Sequence, residues 1–147
     1  MGKLLVLRGL PASGKSTYAR DLMASLPKGF AVRVNNDELS LMLYGASYLK
    51  TPESAKMLFN VRESIIREAF KRDTELVIVD NTNLSANAVA VLKQLAIECR
   101  AVFEVDESFL EVPLDVCLRR NALRSNPVPD SVITEMAKSF IITAKSL

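Results

Sequence analysis

Histidine and tryptophan are missing from the 147 residues, and there are only 5 glycines and 2 cysteines. Without histidine, a Ser-His-Asp triad, imidazole metal ligation and a histidine proton switch are all excluded. The two cysteines, Cys99 and Cys117, are far apart in sequence and too few for a cysteine-only metal centre. Reduced thiols in helices or near the core are expected instead. Long apolar runs are also lacking. Residues 4–7 are too short for a signal-peptide core or a membrane span. Val6 stands where an N-myristoylation pattern needs Ser or Thr. A soluble, cytoplasmic protein with no membrane association is therefore expected. Nor does one charge dominate: 19 Lys and Arg against 17 Asp and Glu give a net charge of +2. Any anion-binding surface must come from local clustering.

What is present is ordinary for a globular chain: 49% hydrophobic and 24% charged residues in a length that suits one domain. Such a chain can bury a core without covalent staples. Residues 3–8 (KLLVLR) read as a buried strand ended by Gly9. Residues 16–26 carry Ala19, Leu22, Met23 and Leu26 on one helical face, and Pro27 stops them. A second strand is expected at 30–35. Thr51 and Pro52 read as an N-cap and first helical position. Their helix runs to about Lys71, with Ala55, Leu58, Phe59, Ile65, Ile66, Ala69 and Phe70 turned inward. Strands follow at 76–80 (LVIVD) and 101–106 (AVFEVD). Ser85 caps a helix to about Ile97, and two more helices are expected at 113–123 and 130–144. Alternating strands and helices imply crossover units, hence an α/β fold with a mostly parallel sheet covered on both faces. Ligands in such sheets bind outside the carboxyl ends of the strands.

The segment after the first strand, Gly9-Leu10-Pro11-Ala12-Ser13-Gly14-Lys15-Ser16-Thr17, fits G-x-x-x-x-G-K-[ST] between a strand and a helix. The glycines let successive N–H groups turn inward as an anion nest, and the helix adds its positive end. Lys15 reaches the β- and γ-phosphates, and the Ser16 hydroxyl suits Mg²⁺. A nucleoside-triphosphate site is expected. No N/T-K-x-D guanine motif is present, and the length leaves little room for motor domains, so a small phosphotransferase is the economical reading.

Strand two ends in Asn35-Asn36-Asp37-Glu38. An acceptor hydroxyl needs a base, and in a chain without histidine a carboxylate must serve, with Asp37 the candidate. The alternative is that Asp37 only caps the next helix. Strand three ends in Asp80, in the pattern of a Walker B carboxylate that holds Mg²⁺ or its waters, or else a turn cap. Arg119, Arg120 and Arg124 form a local guanidinium cluster that either closes over a triphosphate or solvates a helix end. Lys50, Lys56, Arg62 and Arg67 form a basic track for a nucleic-acid acceptor, or a solvated helix face. Tyr44 and Tyr48 are the aromatics near the acceptor loop, and no base-stacking platform is evident.

The chain resembles the kinase domain of the phage-type polynucleotide kinases and the related P-loop kinase-like domains of the zeta-toxin and AAA-like ATPase kind. The resemblance rests on GLPASGKST at 9–17, VNNDEL at 34–39, VIVDNTNLS at 77–85, and PLDVCLRRNALR with VPDSVITEM across 113–136. It implies a three-layer P-loop kinase fold with 4–5 strands. Residues 1–147 would form one kinase domain with a lid around 113–129. The implied activity is ATP-dependent phosphorylation of a nucleic-acid hydroxyl, typically a 5′-hydroxyl, with ATP and Mg²⁺ as cofactors. By the same resemblance, Lys15, Ser16 and the rest of the 9–17 loop hold the phosphates, Asp37 is the base and Arg124 the lid arginine. Arg120 accompanies Arg124, and Thr82, with Asn81 and Asn83, lies on the acceptor loop. Two departures stand out. Ser40 occupies the place of the family's acceptor-phosphate arginine, and Asp80 precedes Asn81-Thr82-Asn83 where the family reads D-T-N. A hydroxymethylated base in DNA, a small alcohol or nucleoside, or a role as an ATP-binding module without transfer remain alternatives. No phosphatase segment follows within the chain, so 3′-end healing is not expected of it.

Overall fold

In the computed structural model, which describes residues 1–47 and 51–146, residues 4–7 run through the inside of a parallel sheet. The strands are β1 (Lys3–Leu7), β2 (Ala31–Val34), β3 (Leu76–Asp80) and β4 (Val102–Asp106), in the order β2-β3-β1-β4. All three pairings are parallel, with Leu7 beside Asp80 and Val34 beside Val79. The helices are α1 (Lys15–Ala24), α2 (Asn36–Tyr44), α3 (Pro52–Lys71), α4 (Ala86–Glu98), α5 (Leu114–Ala122) and α6 (Asp130–Ser146).

Strand alternation sorts the core. Leu4, Val6, Val34, Val77 and Val79 face α3 and α4, where Ile66, Ala69, Leu92, Leu95 and Ala96 meet them. Leu5, Leu7 and Ile78 face the other way, against Ala19 of α1. This is the expected three-layer α/β arrangement. Each fully buried Leu, Ile or Val contributes roughly 1.5–3 kcal/mol relative to exposure. A third cluster, Leu10, Cys117, Val128, Ile133 and Ala137, joins α5 and α6 to the loop after β1. Both cysteines are free, Cys117 in that cluster and Cys99 at the end of α4. Among the described residues no helix is long and apolar enough to cross a membrane.

Several elements differ from expectation. The helix α2, framed by the Asn35 cap and Gly45 in the left-handed region, takes up the segment after strand two. A 3-10 turn at Ser108–Glu111 follows β4. Capping of α3 is as expected, with the Thr51 side chain accepting from the Ser54 N–H. Its inward face is shifted, however. Ala55 and Phe59 are exposed, whereas Ser54 and Arg62 are buried beside Leu58, Ile66 and Ala69. Positions 58, 62 and 66 follow the i, i+4 spacing of one face, so helical geometry carries a guanidinium inward. The described members of the candidate basic track differ in environment, with Arg62 buried. Arg67 pairs with Glu63 and Glu98, both at 2.9 Å, and Lys56 is exposed. Lys50 and Tyr48 lie outside the described residues.

Candidate active site

Residues 9–17 turn between β1 and α1 under tight steric control. Gly14 has φ +106°, and Ala12 also sits at positive φ. A side chain at Gly9 would meet the Phe109 Cβ and the Ser13 Oγ at 2.7 Å, so only glycine fits without displacement. The Gly9 N–H donates to the Thr82 carbonyl at 3.1 Å, which ties this loop to the one after β3. Lys15 is buried and donates to the carbonyls of Gly9 (2.9 Å) and Leu10 (2.7 Å) and to the Ser13 hydroxyl (3.3 Å). Burial lowers its pKa to about 8, against the opposing attraction of Asp80.

A cavity of about 770 Å³ opens over the start of α1. Residues 12–17 line it together with Arg120 and Arg124. The Arg120 Nη1 donates to the Ser13 carbonyl at 3.3 Å. Arg119 does not join them; it turns to Asp115 at 4.0 Å on the exposed side of α5. Tyr18, Arg20 and Asp21 also line the cavity and escaped the sequence reading. Their signal is positional, since they follow the motif within the first two turns of its helix.

A narrower cleft of about 170 Å³ continues from Lys15 and Ser16 to Asp37, Asp80, Asn81, Thr82 and Arg124, with Pro11 on its wall. Asp37 is not the cap of α2: Asn35 accepts from the Glu38 N–H at 2.9 Å and donates to the Asp80 carbonyl at 2.7 Å. That frees the Asp37 carboxylate to line the cleft. Its pKa is raised, first by burial, while Arg124 and Lys15 pull the other way.

Asp80 is fully enclosed. Its Oδ2 accepts from Arg33 Nε (2.9 Å) and pairs with Nη2 (2.7 Å), and Arg33 also reaches Glu38 at 2.8 Å. The buried Asp80 Oδ1 has no hydrogen-bond partner. Arg33 was missed, although a charge within an apolar strand, FAVRVN, already requires a buried counter-charge. One free carboxylate oxygen and the Ser16 hydroxyl on the same cleft are oxygen donors of the kind Mg²⁺ takes alongside water and phosphate.

The residues expected on the acceptor side divide. Asn81 Oδ1 accepts from the Asn36 N–H at 2.8 Å, so its amide lies on the cleft wall beside Thr82. Asn83, at φ +46°, spends its amide on the carbonyls of Leu7 (2.8 Å) and Asn81 (3.2 Å) and holds the loop in place. Ser40 is not brought to the site; its buried hydroxyl donates to the Ala46 carbonyl at 2.6 Å.

A family model described as an AAA domain, AAA_33, matches residues 4–141. Over 140 residues the chain is 30% identical to the L-seryl-tRNA(Sec) kinase of Methanococcus maripaludis, which covers 93% of this chain and 52% of the relative. It is also 30% identical over 152 residues to a protein of Autographa californica nuclear polyhedrosis virus described as a bifunctional polynucleotide kinase/RNA ligase, covering 95% of this chain and 21% of that one. The chain thus spans about half and about a fifth of these relatives. Among solved structures, a chain of the Pnkp1/Rnl/Hen1 RNA repair complex superposes with a TM-score of 0.79 at 26% identity, over 99% of this chain and 46% of that chain.

Proposed function

The chain belongs to the AAA_33 family of AAA domains, a nucleotide-using P-loop kinase domain, and we propose that it moves the γ-phosphate of ATP to a hydroxyl of nucleic acid, a polynucleotide 5′-hydroxyl in the simplest case. The observation that carries this reading is the shared cleft: Lys15, Asp37, Asp80 and Arg124 converge on one narrow space next to the larger cavity over α1. Resemblance to a polynucleotide kinase/RNA ligase and to an RNA repair complex supports the choice of acceptor.

In this reading the loop N–H groups of residues 9–17 and the Lys15 ammonium hold the β- and γ-phosphates. Asp37 accepts the proton of the attacking hydroxyl as its oxygen bonds to the γ-phosphorus. The bond from that phosphorus to the β-γ bridging oxygen breaks, and ADP leaves. A raised pKa suits Asp37 to this role, because a base works best when its pKa approaches the working pH. Arg124 and Arg120, on a lid at residues 113–129, balance the charge spread over the transferred group. Mg²⁺, held by Ser16 and by the free oxygen of Asp80, would neutralise the phosphates when bound. Residues 1–147 act here as one kinase domain.

The test is a labelled-ATP transfer panel with 5′-hydroxyl DNA and RNA oligonucleotides, hydroxymethylated duplex DNA and free nucleosides, using wild type and Asp37→Asn. Transfer to a 5′-hydroxyl that falls sharply in Asp37→Asn is expected; absence of transfer to every nucleic acid overturns the reading. The seryl-tRNA kinase relative favours one second reading, a hydroxyl on a group attached to RNA. Seryl-tRNA as an added acceptor separates the two.

A further inference from the structure

The transfer step leaves three buried polar groups without a task, and all three line one cavity. Arg62 is 9% exposed and its Nε has no hydrogen-bond partner. Its guanidinium lies over the Phe59 ring, 5.5 Å from the centroid. Burial lowers its pKa, opposed only by the neighbouring Glu63, yet a guanidinium stays charged at any working pH. The Asn81 Nδ2 and the Asn36 Oδ1 are likewise buried and unpartnered. The Asn81 amide orientation follows from the Asn36 N–H, which donates to its Oδ1. Arg62, Asn36 and Asn81 line a cavity of about 520 Å³ that shares Asn36, Asn81, Thr82 and Met136 with the cleft holding Asp37.

Buried charge is normally paired, because its lost hydration is costly. Glu135 also borders the cavity, but it faces Lys138 at 3.7 Å. The groups that remain are a cationic fork, an amide donor and an amide acceptor. Their complement is a multi-oxygen anion on a molecule that also carries a hydrogen-bond donor.

Resting on the function proposed above, we infer that Arg62, Asn81 and Asn36 form an acceptor subsite that binds a phosphate attached to the hydroxyl-bearing molecule. The site would then select phosphorylated acceptors over neutral alcohols. Arg62 and Asn81 donate to phosphate oxygens, and Asn36 accepts from the acceptor's own donor. Ser40 is sequestered on Ala46, so it cannot take this part.

The first test is calorimetric binding with the phosphate loop saturated by ADP and Mg²⁺. A nucleoside 3′-monophosphate is expected to bind at least about tenfold more tightly than the nucleoside. Arg62→Ala should erase that difference, and Arg62→Lys should keep part of it. Equal affinities, or a preference that survives Arg62→Ala, overturn the subsite. If Arg62→Ala fails to fold, Arg62→Gln removes the charge at similar size and carries the same test. A glycerol phosphate arm separates a polynucleotide phosphate from a free phosphorylated alcohol, and an Arg62-dependent gain in either supports the subsite.

Kinetics then separates this inference from the function. Arg62→Ala should raise KM for the phosphorylated acceptor about tenfold, leaving KM for ATP unchanged. If wild type phosphorylates no hydroxyl but the Arg62-dependent binding persists, the function falls and the subsite stands. If both acceptors react equally well in wild type and in Arg62→Ala, the subsite falls and the function stands.

Discussion

The two ends of the crevice are built on opposite plans. On the nucleotide side, one continuous segment supplies the site, and its polar groups satisfy each other: Lys15 makes three hydrogen bonds within its own loop. On the side proposed for the acceptor, residues from α2, α3, the loop after β3 and α6 come together, and Asn36, Arg62 and Asn81 keep unpartnered buried atoms. The difference teaches that the phosphate loop is organised by its backbone, whereas the facing wall is organised by packing. In the proposed subsite those unspent polar groups meet the acceptor.

The largest effect should come from the nucleotide side. Lys15→Ala is expected to reduce transfer by about 10³-fold or more while circular dichroism stays unchanged; retained turnover would contradict the assignment. Stability should move the other way in Lys15→Met. The folded pKa of about 8 lies below the ordinary lysine value, so the buried ammonium costs stability below pH 8. That cost fades as pH rises from 8 towards the unfolded pKa. Urea midpoints should therefore place Lys15→Met above wild type at pH 7, with the gap closing by pH 10.

Asp37→Asn tests the junction between the two sides, with an expected loss of about 10²–10⁴-fold in kcat and little change in ATP affinity. The wild-type kcat/KM profile should be a bell. Its acid limb, set by Asp37, should lie above the usual aspartate range, and its alkaline limb, set by Lys15, near 8. An acid limb that survives in Asp37→Asn would remove the base assignment.

Arg33→Leu probes the buried frame between the sides. It leaves Asp80 enclosed without its counter-charge, and a loss of about 3–5 kcal/mol in unfolding free energy is expected. A stability within error of wild type would show that Asp80 finds another partner. The smallest effect should follow Ser40→Ala, about 1 kcal/mol of stability from the lost bond to Ala46, with the acceptor KM unmoved. A raised acceptor KM would return Ser40 to the site.

Legibility followed the same divide. Gly9, Gly14, Lys15 and Ser16 are readable because the sequence spacing and the spatial spacing coincide within one turn. The strands are readable because each buried run, such as LVIVD, must be apolar on both faces of a covered sheet. The role of Asn35 as cap escaped notice because Asn35, Asn36 and Asp37 are all competent N-caps, and only the bond from Asn35 to the Asp80 carbonyl selects between them. Arg62 reads as one step of a basic track or of a solvated helix face, since an arginine on a helix gives no sign of which face will be covered. Only its i, i+4 place between Leu58 and Ile66 hinted otherwise.

The sequence by itself determined the parallel α/β layering and the phosphate loop, because both depend on local periodicity and backbone freedom. Tertiary structure alone decided that Arg33 neutralises one oxygen of Asp80 and spares the other. It also sent Ser40 away from the crevice and carried Arg62 into it. Those outcomes depend on which distant surfaces exclude water from a charge, and desolvation is a property of the packed molecule, not of the chain order.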